Sequence, residues 1–169
     1  MGKRNSITKR TIFIVLAILL LGCASWGTAV WIHRAHKTNV FQKFDETVTS
    51  ADKIVFLDIE RTESTLLTLT DPAEIAEFRT LWEFAPAQEW EVCDCAGFPG
   101  IEWHRGGKIL AQMSFHHGRS LRWDAFPGDA ELTLASRQRA SRWFLEHFRG
   151  TESAQYSFKE WEKVASDPR

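Results

Sequence analysis

The sequence predicts an α+β protein: an N-terminal transmembrane helix followed by a small domain in which an antiparallel β-meander sheet packs against helices. Three observations carry that expectation. An uncharged apolar run fills residues 11–32, turn-punctuated β segments occupy the middle of the chain, and capped helical patterns flank them. The order strand, strand, helix, strand meander, helix suits an antiparallel sheet with helices on one face and excludes an α/β crossover fold.

The anchor comes first in the chain. Between Thr11 and Ile32 there is no charged residue, and the run IFIVLAILLLGCASWGTAVWI is long enough to cross about 30 Å of hydrocarbon at about 1.5 Å per residue. Trp26 and Trp31 lie toward its far end, where amphipathic rings suit the headgroup level. Lys3, Arg4, Lys9 and Arg10 precede it, whereas only Arg34 and Lys37 closely follow. The positive-inside bias therefore puts the N-terminus in the cytoplasm and the remainder outside, in a bacterial cell envelope.

Leu20-Leu21-Gly22-Cys23, after a basic segment and a short apolar core, resembles the lipobox of bacterial lipoprotein signals, which implies lipidation of Cys23 after cleavage. The apolar run continues past Cys23 to Ile32, where a lipoprotein would begin a polar tether, so the uncut anchor is the preferred reading. Met1-Gly2-Lys3-Arg4-Asn5-Ser6 also satisfies the short N-myristoylation pattern, which the adjacent span makes superfluous. The organisation expected is a basic cytoplasmic segment over 1–10, the anchor over 11–32, and a juxtamembrane connector over 33–52. The extracytoplasmic α+β domain follows over 53–150, with a helical tail over 151–169.

In the connector, Val40, Phe41, Phe44 and Val48 recur at helical spacing, and His33 and His36, at a three-residue spacing that could share a metal, read instead as a polar collar at the bilayer edge. Ile54 to Ile59 and Thr65 to Thr70 read as strands. Asp71-Pro72-Ala73-Glu74 then reads as a helix start, with Ile75, Phe78, Leu81 and Trp82 as its buried stripe and Pro86 as its end. A three-residue loop Arg105-Gly106-Gly107 would pair Trp103 with Ile109 and Ile101 with Ala111. Ile101, Trp103, Ile109, Ala111, Met113 and Phe115 would then share one face. With His116-His117-Gly118 as the next loop, Met113 faces Leu121 and Ala111 faces Trp123, and Gly118 takes the left-handed bulge position. Thr133 caps the last long helix, whose stripe is Ala140, Trp143, Phe144 and Phe148, with Gly150 just past its end. Ser157-Phe158-Lys159-Glu160 reads as the capping box of a short terminal helix. Trp82, Trp103, Trp123 and Trp143 fall on buried stripes, whereas Trp90 and Trp161 have no such place and would suit a binding surface.

Composition narrows the function. Of 169 residues 44% are apolar, which excludes general disorder. Of the 21 Lys+Arg, four lie in residues 1–10, which leaves 17 against 22 Asp+Glu in the rest; nucleic acid is therefore not an expected partner. No G-x-S-x-G, Gly-rich phosphate loop, H-E-x-x-H or EF-hand pattern occurs. The expected function is therefore that of a non-catalytic, membrane-anchored binding or interaction domain. Its partners would be the lipid bilayer, through residues 11–32, and a protein or cell-envelope component.

Two groups could carry chemistry. Cys93-Asp94-Cys95 can be structural, can form a disulfide or redox pair, or can chelate a metal, zinc or copper, with His116 and His117 completing four ligands. Consecutive histidines in a regular strand point to opposite faces, so both converge only from a loop. The hairpin register sets these histidines at one tip and the cysteines ahead of the preceding hairpin. They are therefore expected to lie too far apart for a metal, and no cofactor is expected. Second, His104, His116, His117, Arg119 and Arg122 could form a shallow anion site on the polar sheet face, against the alternative of a solvated face with cross-strand ion pairs. Asp129-Ala130-Glu131 reads as helix-start chemistry ahead of Thr133.

Overall fold

The structure, a computed structural model, describes residues 40–59, 64–151 and 155–168. The expected cytoplasmic segment, the anchor over 11–32 and Cys23 lie outside the described residues. No described helix is long and apolar enough to cross a membrane. The chain divides into two compact units, Met1–Lys43 and Phe44–Arg169. Of the first, only residues 40–43 are described, and they open a helix, α1, over residues 40–50.

The second unit is α+β. Its six strands are β1 (Lys53–Asp58), β2 (Ser64–Leu69), β3 (Gly100–Arg105), β4 (Lys108–His116), β5 (Ser120–Trp123) and β6 (Ala130–Glu131). They form one antiparallel sheet in the order β2-β1-β3-β4-β5-β6. The helices α2 (Pro72–Arg79), α3 (Leu134–Phe148) and α4 (Gln155–Ala165) complete the unit.

One sheet face carries Ile54, Phe56, Ile101, Trp103, Ala111, Met113, Phe115, Leu121 and Trp123, all buried. Aromatic rings lock the helices onto it. Phe56 meets Phe78 of α2 at 5.1 Å and Trp143 of α3 at 5.3 Å between centroids, and Phe115 stacks on Phe144 at 5.0 Å. Trp161 of α4 is 1% exposed and stacks on Phe144 at 5.2 Å and on Phe98 at 6.0 Å. It therefore belongs to the core, not to an exposed binding surface. Each such pair adds about 0.5–1.5 kcal/mol beyond its burial.

Local signals account for most elements. The Asp71 carboxylate accepts from the N–H groups of Ala73 (2.7 Å) and Glu74 (3.2 Å), with Pro72 in the first turn. The helix ends at Arg79, well short of Pro86, because Thr80 caps it; Leu81 and Trp82 pack from the turn beyond. Thr133 accepts from Ser136 N–H at 3.3 Å to start α3. Ser157 lies inside α4, which starts at Gln155, so the expected capping box does not form there.

The register of the meander differs from the expected one. Ile101 faces Met113 and Trp103 faces Ala111, because the turn uses only Gly106-Gly107 and an irregularity next to Trp103/His104 absorbs one residue of β4. The apolar face keeps its other members, but Ile109 is 51% exposed. On the next hairpin Met113 faces Trp123 and Phe115 faces Leu121. The loop is therefore His117-Gly118-Arg119, and His116 is the last residue of β4. Asp129 does not start a helix: Ala130 and Glu131 pair with Leu121 and Ser120.

Candidate metal centre

The polar sheet face is crossed by the segment that joins α2 to β3, and that crossing builds the site. Residues 84–91 first follow β6: Ala85 N–H donates to Glu131 C=O (2.8 Å), and the Gln88 side chain bonds both Glu131 N–H (2.7 Å) and C=O (2.9 Å), imitating a strand. Asp129 N–H donates to Glu91 C=O at 2.8 Å. The chain then passes over β5 and β4 and re-enters the sheet at Phe98, whose N–H donates to Phe115 C=O at 2.9 Å.

Arg122, on the polar side of β5, fixes the crossing segment. Its Nη1 donates to Cys95 C=O at 2.7 Å and its Nη2 to Cys93 C=O at 2.9 Å, so one guanidinium holds both ends of the Cys93-Asp94-Cys95 turn. The same fork binds Asp129 through Nε (2.6 Å) and Nη2 (2.8 Å).

The cysteines thereby arrive beside both histidines, which corrects the expectation that they lie too far apart. Ligand atoms of Cys93, Cys95, His116 and His117 all lie within 4.8 Å of one another, so this group could hold a metal ion. The reason is topological: in an antiparallel hairpin the residues that lead into β3 lie beside those that end β4. His116 points from the polar face of β4, with Nδ1 at 3.4 Å from Cys93 Sγ and 3.3 Å from Cys95 Sγ. His117 follows in the left-handed region (φ 51°), which swings its ring to the same side and brings Nε2 to 3.2 Å from Cys95 Sγ. One strand residue and one turn residue thus converge where two strand residues could not.

The outer imidazole nitrogens are also held. His116 Nε2 is 2.8 Å from Ser114 Oγ, two residues back on the same face. His117 Nδ1 is 3.1 Å from a carboxylate oxygen of Glu160 on α4. Such partners set the tautomer and ring orientation of metal-ligating histidines. Gly118, at φ 66°, lets the turn lie under α4, where an added Cβ would stand 3.1 Å from Val164. His116 is fully buried and its pKa is lowered from 6.5 to about 4, by burial first and then by the Arg122 guanidinium, while Asp129 opposes the shift.

Cys93 and Cys95 are joined by a disulfide, with their Cα atoms 5.4 Å apart. A tetrahedral metal with bonds of about 2.0–2.3 Å spaces its ligand atoms by about 3.3–3.8 Å, close to the sulfur–imidazole separations present. Four-coordination then needs the disulfide reduced so that the sulfurs can part, and the wider ligand separations, all within 4.8 Å, drawn in.

The remaining site residues do not join this group. His104 is on β3, buried, with Nε2 2.9 Å from Glu102, which also accepts from Gln112 at 2.8 Å. The Arg119 side chain is exposed, and its backbone N–H closes the turn onto His116 C=O at 2.8 Å. Arg122 is engaged by Asp129 and by the carbonyls of Cys93 and Cys95. Ser114 was legible as the i−2 neighbour of His116 on one strand face. Glu160 carries no local signal, since a carboxylate 43 residues away becomes a partner only through the packing of α4, and Asp129 meets Arg122 where β6 pairs with β5.

The fold and site define a small α+β domain with a two-cysteine, two-histidine group at the end of a hairpin. No family model, curated protein or solved structure matches the chain.

Proposed function

We propose that the chain is a membrane-anchored, extracytoplasmic metal-binding domain whose ligand is a single zinc or copper(I) ion. The convergence of Cys93, Cys95, His116 and His117 within 4.8 Å supports this reading. Two thiolates and two imidazoles suit a d10 ion without geometric preference, and soft sulfur disfavours magnesium or calcium. The ligand set is filled by protein atoms, which argues for holding or transferring the ion and against activating a water at an open position. Ser114 and Glu160 would fix the two rings, and Arg122 would hold the chelating turn. The anchor over residues 11–32, with the N-terminus in the cytoplasm, is supported by the uncharged apolar run and the four basic residues ahead of it.

Full-length protein made in reducing medium without chelator is expected to carry one zinc or copper per chain by elemental analysis, lost in both Cys93→Ser and His117→Ala. Two free thiols with no metal would overturn the reading. Protease added to intact spheroplasts is expected to digest the domain; protection would reverse the topology.

A further inference from the structure

The two sulfurs that would hold the metal are bonded to each other, and a sulfur in a disulfide has no thiolate charge to give a metal. Disulfide and metal are therefore rival occupants of the same pair.

We propose that the site is redox-gated: a dithiol protein reduces the disulfide by attacking Cys93 Sγ, Cys95 departs as the leaving thiolate, and only the reduced pair takes up metal. The uptake half rests on the metal-binding reading above; the order of attack does not.

One observation distinguishes the sulfurs. A cavity of about 640 Å³ beside the site has Cys93 on its wall, together with Trp90, Val92, His117, Arg119 and Glu160, whereas Cys95 does not line it. A thiol that enters through this cavity therefore meets Cys93 and not Cys95. Attack on Cys93 Sγ makes Cys95 the sulfur that departs, whichever neighbours surround it.

The step balances. A thiolate of the reductant forms a bond to Cys93 Sγ as the Cys93–Cys95 bond breaks, and Cys95 keeps the electron pair. The reductant's second thiolate then attacks its own sulfur in the mixed disulfide, releases Cys93, and closes the reductant's disulfide. Two electrons pass from the dithiol to the protein, and its two protons end on Cys93 and Cys95 until a metal displaces them into solvent.

Oxidised full-length protein is treated with the monothiol 2-mercaptoethanesulfonate, quenched in acid and mapped by mass spectrometry. At least a tenfold excess of adduct on Cys93 over Cys95 is expected; equal labelling, or more on Cys95, overturns the order of attack. Because an adduct on Cys93 can be resolved by Cys95 before the quench, the single-cysteine variants supply a second readout. At about pH 10, where both thiols are ionised and the rate reports access, Cys95→Ser, which retains Cys93, is expected to react with an aromatic disulfide several-fold faster than Cys93→Ser, and the reverse order overturns the assignment. Zinc uptake tests the gate: one equivalent by reduced protein and none by oxidised protein is expected, and equal uptake by both overturns it. No uptake even by reduced protein would count against the metal-binding reading, while the labelling ratio would still decide which sulfur is attacked.

Discussion

Gly97 lies against the imidazole of His116: a Cβ built at position 97 would stand 2.3 Å from Nε2 and 2.6 Å from Cδ2 of the ring. Gly97 also has φ 78°, in the region that side chains avoid. The crossing segment can descend from the cysteines into β3 only because nothing projects from this residue. Gly97→Ala is therefore expected to combine backbone strain with displacement of a buried ring. The expected loss is about 2–3 kcal/mol by denaturant unfolding, with at least tenfold weaker zinc binding by competition with a chromophoric chelator. A variant with unchanged affinity would show that His116 need not stay where it is.

Arg122 tests the clamp. Removing its side chain leaves the Asp129 carboxylate 7% exposed without its main counter-charge and frees the carbonyls of Cys93 and Cys95. Arg122→Ala is expected to destabilise the chain by about 2–4 kcal/mol. Arg122→Lys keeps the charge but not the planar fork and should recover only part of that loss. Unfolding curves for the two variants measured side by side decide it, and full recovery by lysine would mean that charge alone is at work.

Glu160→Gln leaves the volume of the side chain and removes the charge that faces His117 Nδ1 at 3.1 Å. The expected consequence is a 10–100-fold fall, in order of magnitude, in zinc or copper affinity. Unfolding of the metal-free protein should change little, since His117 is exposed and Glu160 is only half-buried. A large loss of stability with unaltered affinity would make the contact structural.

His116 sets a pH dependence in the metal-free protein. Its pKa is about 4 in the folded chain, against the ordinary 6.5 of a solvated imidazole, so between those values the unfolded chain binds more protons than the folded one. Stability therefore rises with pH across that window: it is complete above about pH 6.5 and falls as the solution is acidified toward pH 4. For a fully buried ring the full effect is on the order of 3 kcal/mol. Denaturant midpoints from pH 7 to 4 should show this fall, and His116→Gln should flatten it.

Much of the fold was readable because its signals are local. Asp71 and Thr133 cap helices through bonds to residues two or three positions away, Pro72 opens one of them, and the alternation of Ile101, Trp103, Met113 and Phe115 marks the buried face. Register was harder: Gly106 and Gly107 permit turns of two or three residues, and an irregularity at Trp103/His104 shifts the pairing without changing which side is apolar. The four ligand types and their pairing were legible, but their separation was not. Cys95 and His116 are 21 positions apart in sequence, and only the antiparallel order of β3 and β4 makes them neighbours. Glu160 was not legible at all, because it reaches His117 through Trp161, whose burial places α4.

The hairpin that brings the ligands together is already closed by its own backbone ladder and by aromatic packing beneath it. An ion bound there would therefore clip a loop whose closure entropy has largely been spent before it arrives. Small metal modules that lack such a core collapse when stripped; this domain has the means to remain standing. Its ion would behave as removable cargo held in a preshaped berth, free to be surrendered and replaced while the scaffold persists.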